Sequence, residues 1–271
     1  MGRMHDTISF LSDYGNADEF VGVVKSVCRS IAPHAAVIDI THEIAPHDVR
    51  SGGLALARSV QYLAPGVVLA VVDPGVGTSR RAIAVEVGSE DEAFLVGPDN
   101  GLLAAAVAIA GGARRAVELT NDKYQLPAPG PTFAGRDVFA PAAAHLCNGV
   151  ELTELGPEID PFGLRPGVVP LCQWDEGRLK VEVLWVDRFG NVQLNVDASD
   201  IEALGPRVMV RAGDIVRTAV RSRAYADLKA GELGLVVDSY GMLSLALDQR
   251  SAAAELRLGP GAGVSLEEPE G

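Results

Sequence analysis

Two patterns of apolar residues alternate along the first half of the chain. Short runs of consecutive apolar residues, bounded by turn residues, predict strands buried on both faces of a sheet. These runs occupy residues 7–12, 37–40, 67–72, 82–87 and 93–96. Between them, apolar residues recur at helical spacing and predict helices over 20–31, 49–63, 101–110 and 136–147. Asn16 and Glu19 have the spacing of a capping pair before the first helix. The alternation predicts an α/β domain with a mainly parallel sheet covered on both faces.

The pattern changes in the second half of the chain. Residues 156–174 are rich in Pro and Gly, lack periodicity and are interpreted as a linker. Short strand-like runs then follow one another, separated by turn residues: 178–186, 191–196, 207–211, 215–220, 235–238, 243–247, 254–258 and 263–266. Such a series predicts a compact, all-β antiparallel domain, a barrel. We therefore expect an α/β domain over 1–155 and a β-barrel domain over 175–271.

Composition narrows the classes of function. The 271 residues are 48% apolar and 22% charged, which is typical of a globular protein with room for two domains. No segment has the pattern of a signal peptide or a membrane span, so we expect a soluble, cytoplasmic protein. The formal charge of −13 disfavours binding to nucleic acid or to an anionic membrane. The cysteines are scattered and the histidines lack metal-ligand spacing, so we expect no disulfide, structural zinc site or catalytic metal.

The strongest candidate for chemistry is the loop after the apolar run 67–72. The run ends in Asp73-Pro74-Gly75, and Arg80 follows seven residues after the aspartate. A carboxylate at the C-terminal end of a buried strand lies where open α/β sheets bind their ligands. Polar clusters at 12–15, 97–101 and 132–137 also adjoin predicted elements, which favours a common crevice. The motifs of phosphate-binding loops and of the common hydrolase elbow are absent from the sequence.

Each candidate in the first half also has a structural interpretation. Asp13 is suited to capping a helix, and Asp18 to favouring a helix N-terminus through the dipole. Asp73 is suited to a simple turn. Arg80 is compatible with a surface position or with a purely structural pair with Asp73.

Two turn motifs in the second half, DRFGN at 187–191 and DSYG at 238–241, also carry candidate side chains. Asn191 and Ser239 are suited to hydrogen bonding with a base or a carboxylate. Turn formation is the alternative role for residues of these types. These residues indicate a binding site only in combination with the motifs of the first half.

Taken together, these motifs resemble the S-adenosylmethionine hydroxide adenosyltransferase family, which forms adenosine and is related to the bacterial fluorinase and chlorinase. The resemblance extends over nearly the whole chain, through segments 12–15, 39–48, 73–81, 97–101, 132–137 and 187–191. It implies an N-terminal α/β domain, a C-terminal β-barrel and a homotrimer whose substrate lies between the first domain of one subunit and the second of the next. It also implies hydrolysis of S-adenosyl-L-methionine to adenosine and L-methionine, by in-line attack of an activated water on the ribose 5′ carbon, without a cofactor.

The resemblance also implies roles for individual residues. Asp73 and Arg80 match two of three residues around the attacking water and are the catalytic candidates. Asp13 matches the carboxylate that grips the ribose hydroxyls. Asn191 and Tyr225 match positions that contact the adenine. Ser239 and Tyr240 match the turn that holds the methionine portion, with Asp187 nearby. Asp18 matches a position that contacts the amino-acid end.

The sequence departs from the family pattern in one place and from the halogenases in another. Ala134 stands where the family usually has a histidine, the third residue around the water, so we expect weakened hydrolysis unless a group such as His47 compensates. A protein that binds S-adenosylmethionine or adenosine without turnover is therefore an alternative. The halogenases carry an aromatic residue and a threonine where this chain has Asp73 and Val76. A carboxylate there repels halide and binds water, which makes a halide-using transferase the weaker alternative.

Overall fold

The computed structural model describes residues 2–88 and 93–269. It divides into two compact units, Met1–Val168 and Val169–Gly271. Each unit has its own buried apolar clusters.

The first unit is built on one twisted sheet whose strands follow the order β2-β1-β3-β5-β4-β6-β7. Its strands are β1 Thr7–Ser12, β2 Ala36–Thr41, β3 Val67–Val71, β4 Ala82–Val87, β5 Ala93–Pro98, β6 Ala113–Glu118 and β7 Glu158–Ile159. Strands β2, β1, β3 and β5 pair in parallel, whereas β4 is antiparallel to both its neighbours and β7 is antiparallel to β6. The predicted α/β domain with a mainly parallel sheet is confirmed. Strand β4 is reversed relative to β5 because only five residues separate the two strands along the chain, too few for the crossover that a parallel pair requires.

Helices cover both faces of this sheet. They are α1 Phe20–Ile31, α2 Val49–Ser59, α3 Ala104–Ile109 and α4 Ala140–Cys147. A turn of π-helix, Gly135–Phe139, leads directly into α4. Helices α1 and α4 pack together in one apolar cluster, while α2 and α3 belong to another. Within the described part of the chain, no helix is long and apolar enough to cross a membrane.

Strand β3 shows why the central apolar run is uninterrupted. Val67, Leu69 and Val71 belong to the cluster under α1 and α4, whereas Val68 and Ala70 belong to the cluster under α2 and α3. Successive side chains of a strand point to opposite faces, so a strand covered by helices on both sides requires apolar residues at every position.

The predicted cap of α1 is wrong. The N-cap residue is Glu19, and it makes no side-chain capping bond. Asn16 instead donates its Nδ2 to Glu43 Oε1 at 2.6 Å, which ties the segment before α1 to the end of β2. Spacing alone predicts a capping pair, and this longer-range contact takes its place.

The second unit is a closed barrel. Its strands are β8 Gln173–Asp175, β9 Arg178–Val186, β10 Val192–Asp197, β11 Arg207–Ala212, β12 Ile215–Ser222, β13 Leu233–Val237, β14 Met242–Ala246 and β15 Gly263–Glu267. The ring β9-β10-β14-β13-β12-β11-β15 closes because β15 and β10 both pair with β9. Alternate residues of β9, such as Leu179, Val181 and Val183, face the interior. The predicted β-barrel is confirmed, but the expectation that all its strands pair antiparallel is wrong, because β12 and β13 pair in parallel.

One predicted strand of the barrel is wrong. Residues 254–258 fall largely in a short helix, α5 Ala252–Leu256. Ser251 Oγ accepts from the N–H of Ala254 at 3.0 Å and caps this helix, and the N–H of Ala253 donates to the carbonyl of Gly190 at 2.9 Å. A short apolar run does not distinguish a strand from a helix, and here the serine cap decides.

Candidate active site

Asp73 and Arg80 form a buried ion pair at the C-terminal end of β3. Arg80 Nε donates to Asp73 Oδ1 at 2.9 Å, and Nη2 donates to the other carboxylate oxygen. The side chains are 5% and 11% exposed, respectively, so the interpretation of Arg80 as a surface residue is wrong. Within the loop, Thr78 Oγ1 donates to the carbonyl of Gly75 at 2.6 Å. The tight loop thus carries the guanidinium back onto the carboxylate at the end of its own strand.

Opposing effects act on the Asp73 carboxyl. Burial raises its pKa above the ordinary value, while the charge and the hydrogen bonds of Arg80 act to lower it. The nearby Asp13 carboxylate adds a further upward contribution. A carboxylate with a raised pKa is a better proton acceptor than an exposed one, and paired groups of this kind are common at catalytic sites.

Asp13 follows β1, the strand beside β3. Its N–H donates to the carbonyl of Val71 at 3.3 Å, and its Oδ2 accepts from the N–H of His47 at 2.9 Å. Because α1 begins only at Phe20, the interpretation of Asp13 as a helix cap is wrong. Asp13 and Asp73 line one cavity of about 250 Å³, and segment 132–135 lines it as well. Three of the predicted clusters therefore meet at one crevice.

The fourth cluster, 97–101, supports the site without lining this cavity. Arg81 donates through Nε to Asp99 Oδ2 at 2.9 Å and through Nη2 to the carbonyl of Gly163 at 2.9 Å. Asn100 Nδ2 donates to the carbonyl of Val72 at 2.8 Å. These contacts fix the ends of β3, β4 and β5, so the role of this motif is structural.

Position 134 lies between two cavities. Ala134 immediately precedes the π-helical turn and lines both the 250 Å³ cavity and a second one of about 810 Å³. The second cavity is also lined by Arg80, by Asp137 and by segment 125–131. Ala134 therefore lies between the cavity lined by Asp73 and a larger space lined by Arg80.

Sequence reasoning missed Tyr14 as a site residue. Its side chain lines the same cavity as Asp73, and its hydroxyl oxygen lies against the backbone of Gly135, where a Cβ would come within 2.2 Å of it. The position of Tyr14 next to Asp13 in the sequence could have indicated a role in the site. A tyrosine directly after an apolar strand is, however, equally compatible with a role in the core.

Two other candidates of the first unit lie differently. Asp18 is exposed in the bend before α1 and is not among the residues lining the cavity, so its contact with substrate stays a prediction. His47 lines the cavity. Its backbone has a positive φ of 69°, and in this conformation its N–H donates to the Asp13 carboxylate. Within the described residues, no group of three or more His, Cys, Asp or Glu side chains is arranged to hold a metal ion.

In the barrel unit, Asp187 organises the turn between β9 and β10. Its Oδ1 accepts from the N–H of Phe189 at 2.9 Å and of Asn191 at 2.8 Å. Its Oδ2 accepts from Asn191 Nδ2 at 2.8 Å, which fixes the orientation of that amide. The Asp187 carboxylate therefore shapes the turn, and the same bonds hold the Asn191 side chain in a defined position.

Asp238 plays the same part in the turn between β13 and β14. Its Oδ1 accepts from the N–H of Tyr240 at 2.8 Å and of Met242 at 3.1 Å, which shapes the turn that carries Ser239. Gln193 Nε2, on the neighbouring strand β10, donates to Asp238 Oδ2 at 2.6 Å. The two turns are thereby linked across the barrel end.

Tyr225 lies close to both turns. Partial burial raises the pKa of its hydroxyl, and the carboxylates of Asp187 and Asp238 add to the effect. The structure therefore brings the predicted barrel residues to one end of that unit: Asp187, Asn191, Tyr225, Ser239 and Tyr240.

Comparison with known protein families gives matches over both units. Residues 8–156 match the family model described as SAM hydroxide adenosyltransferase N-terminal domain, and residues 181–265 match the one described as SAM hydroxide adenosyltransferase C-terminal domain.

Individual relatives match over nearly their whole length. A protein of Salinispora tropica named (R)-S-adenosyl-L-methionine hydrolase is 46% identical over 94% of this chain and 95% of its own. A protein of the same name from Thermus thermophilus is 40% identical over 96% of this chain and 98% of its own. A fluorinase of an Actinoplanes species is more distant, at 28% identity over 96% of each chain. A solved structure titled as an uncharacterized conserved protein from Thermotoga maritima has a TM-score of 0.87 at 34% identity, covering 96% of this chain and 100% of that one.

Proposed function

The chain belongs to the SAM hydroxide adenosyltransferase family, and from this premise we propose that it is an enzyme that hydrolyses S-adenosyl-L-methionine to adenosine and L-methionine. The hydrolase names of relatives that are 46% and 40% identical support this activity. The observation that carries the proposal is the buried Asp73–Arg80 pair, whose carboxylate shares a cavity with Asp13.

In the proposed reaction, a water held at Asp73 attacks the ribose 5′ carbon in line with the C5′–S bond. The O–C5′ bond forms as the C5′–S bond breaks, the electron pair goes to sulfur, and the water proton passes to the Asp73 carboxylate. The sulfonium leaves as a neutral thioether, so the leaving group needs no general acid. Positioning can contribute roughly 7–11 kcal/mol, and a general base a factor of about 10²–10⁴. Arg80 keeps both oxygens of Asp73 in a fixed plane.

The charge of the cavity suits this substrate. Arg80 neutralises Asp73, which leaves the Asp13 carboxylate as a further negative charge for a cationic sulfonium compound to meet. Because Oδ2 of Asp13 accepts from the His47 N–H, the carboxylate is held in one orientation. We assign it to the ribose hydroxyls.

We further propose that the site is completed in a homotrimer, where residues 1–155 of one subunit meet the barrel domain 175–271 of the next, and that the linker 156–174 joins the two domains within each subunit. Asn191 and Tyr225 then meet the adenine, Ser239, Tyr240 and Asp187 the methionine portion, and Asp18 the amino-acid end. Tyr225 and Tyr240 are 41% and 48% exposed at the barrel end, so both rings present surface that a ligand can contact. The cytoplasmic location is part of the same proposal.

Ala134 favours one second candidate, a protein that binds the substrate or adenosine without turnover. The alanine side chain lacks the imidazole that the histidine of the usual family motif places beside the water. A halide-using transferase is disfavoured, since a buried carboxylate at position 73 repels an anion.

The deciding experiment is incubation of the protein with each sulfonium epimer of S-adenosyl-L-methionine, followed by chromatography. Both epimers are needed because the relatives' names specify the R form. Time-dependent formation of equal amounts of adenosine and methionine is the expected result. Recovery of intact ligand from a tight complex would instead support the binding protein, and 5′-halogenated adenosine in chloride or fluoride buffer would support the transferase.

A further inference from the structure

The water proposed for this reaction has two protein partners, Asp73 and Arg80, and position 134 offers it only a methyl group. The hydroxyl of Tyr14 lies against the residue next to that position. An added Cβ at Gly135 would fall 2.2 Å from the Tyr14 oxygen and 3.1 Å from its ring carbon Cζ. The absence of a side chain at 135 is therefore what lets the hydroxyl occupy this place in the cavity wall.

The ring of Tyr14 is fixed by its surroundings. It makes edge-on or tilted contacts with three aromatic rings, at centroid distances of 6.5, 5.6 and 5.7 Å: Phe10, Phe20 and Phe133, respectively. Its N–H donates to Ser12 Oγ at 3.3 Å, and the N–H of Gly15 donates to the carbonyl of His42 at 2.8 Å. A hydroxyl held from both its ring and its backbone is preorganised for one partner.

Carboxylates surround this hydroxyl. Burial raises the pKa of Tyr14 most, and three carboxylates raise it further by repelling the phenolate: Asp13, Asp73 and Asp137. The hydroxyl therefore stays protonated at neutral pH and can donate one hydrogen bond. Its lone pairs then remain available to accept a bond from another donor.

We propose that Tyr14 is a further residue that holds the attacking water, with its hydroxyl supplying the contact that Ala134 does not. This inference rests on the hydrolase function proposed above. The Tyr14 oxygen accepts a hydrogen bond from one O–H of the water, while the proton of the other O–H passes to Asp73. This arrangement leaves a lone pair of the water aimed at the 5′ carbon. Tyr14 neither gains nor loses a proton, so the balance of the reaction is unchanged: O–C5′ forms, C5′–S breaks, and sulfur takes the electron pair.

The test is Tyr14→Phe, which removes only the hydroxyl and keeps the ring. We expect kcat to fall roughly 10- to 100-fold, while KM and the calorimetric Kd for adenosine change less than about twofold. Tyr62→Phe is the matched control, because its ring is 69% exposed and outside the cavity, and it should retain full kcat. Thermal melting of both variants verifies that each is folded.

Adding Ala134→His to the Tyr14→Phe variant supplies the imidazole of the family motif, and we expect it to restore most of the lost kcat. A Tyr14→Phe variant with the kcat of the wild type would overturn this inference and leave the hydrolase function standing. A loss of kcat in His47→Gln, with none in Tyr14→Phe, would overturn it in the same way. If the wild-type protein forms no adenosine at all, the proposed function fails and the role of Tyr14 fails with it.

Discussion

Two opposing influences act on the carboxyl group of Asp73. It is almost fully buried, and it is also bonded at both oxygens by a single guanidinium. Burial favours the protonated form and Arg80 favours the ionised form. The net effect is a raised pKa, which makes this carboxylate a stronger proton acceptor than an exposed aspartate.

At the residue scale, the first prediction concerns Asp73→Asn. The amide keeps the size of the side chain but cannot accept the water proton, so kcat should fall by about 10²–10⁴. Adenosine affinity, measured by calorimetry, should change far less, because Asp13 is untouched. An Asp73→Asn protein with wild-type kcat would remove this carboxylate from the mechanism.

The second residue-scale prediction concerns pH. Activity requires ionised Asp73, so kcat should fall as the pH drops through a value above the ordinary aspartate pKa of 3.8. Arg80 lowers that pKa, so Arg80→Gln should move the acid limb of the kcat profile to higher pH and reduce its plateau.

Arg81→Gln is the matched control, since Arg81 pairs with Asp99 and not with Asp73. Its acid limb should stay where it is in the wild type. A downward shift for Arg80→Gln would show that the guanidinium does not stabilise the ionised form.

At the scale of elements, the site depends on how closely β3 and β5 approach each other. An added Cβ at Gly97 in β5 would fall 2.3 Å from the carbonyl oxygen of Ala70 in β3, the strand that ends at Asp73. That oxygen belongs to the backbone and cannot move away without shifting the strand. The glycine is required by this packing.

We therefore predict that Gly97→Ala lowers the free energy of unfolding by about 1–3 kcal/mol, as overpacking does. Gly22→Ala in α1 is the control, because nothing lies within 4 Å of its added Cβ. It should raise stability by about 0.5–1 kcal/mol through helix propensity. Thermal and urea unfolding measure the change in the free energy of unfolding for both variants. Equal changes in the two variants would contradict the claim that the contact between β5 and β3 requires a glycine at position 97.

At the scale of the whole molecule, the proposed trimer divides one site between two chains. We predict a solution mass of three times the 28.3 kDa chain by light scattering. Asp73→Asn and Asn191→Ala, each strongly impaired alone, should then regain activity when unfolded together and reassembled, because some mixed sites receive the intact residue from each chain. Impaired variants that stay impaired after mixing would place Asp73 and Asn191 in sites of a single chain.

Much of the molecule follows from local sequence pattern. The central run is apolar at every position because both faces of β3 are covered, and the period-two alternation of β9 marks a barrel wall. Local pattern fails where an interaction outside it decides. Asn16 bonds to Glu43 and does not cap α1, and Ser251 turns an apolar run into α5.

The two-part fold and the polar clusters at strand ends could be predicted from residue order, since both depend on spacing along the chain. The pairing of Asp73 with Arg80 was foreseeable for the same reason, as one short loop joins them. Only the tertiary structure placed the Tyr14 hydroxyl on Gly135 and showed Asp99 to be structural. Those relations join residues distant in sequence, and they depend on side-chain packing that no local periodicity encodes.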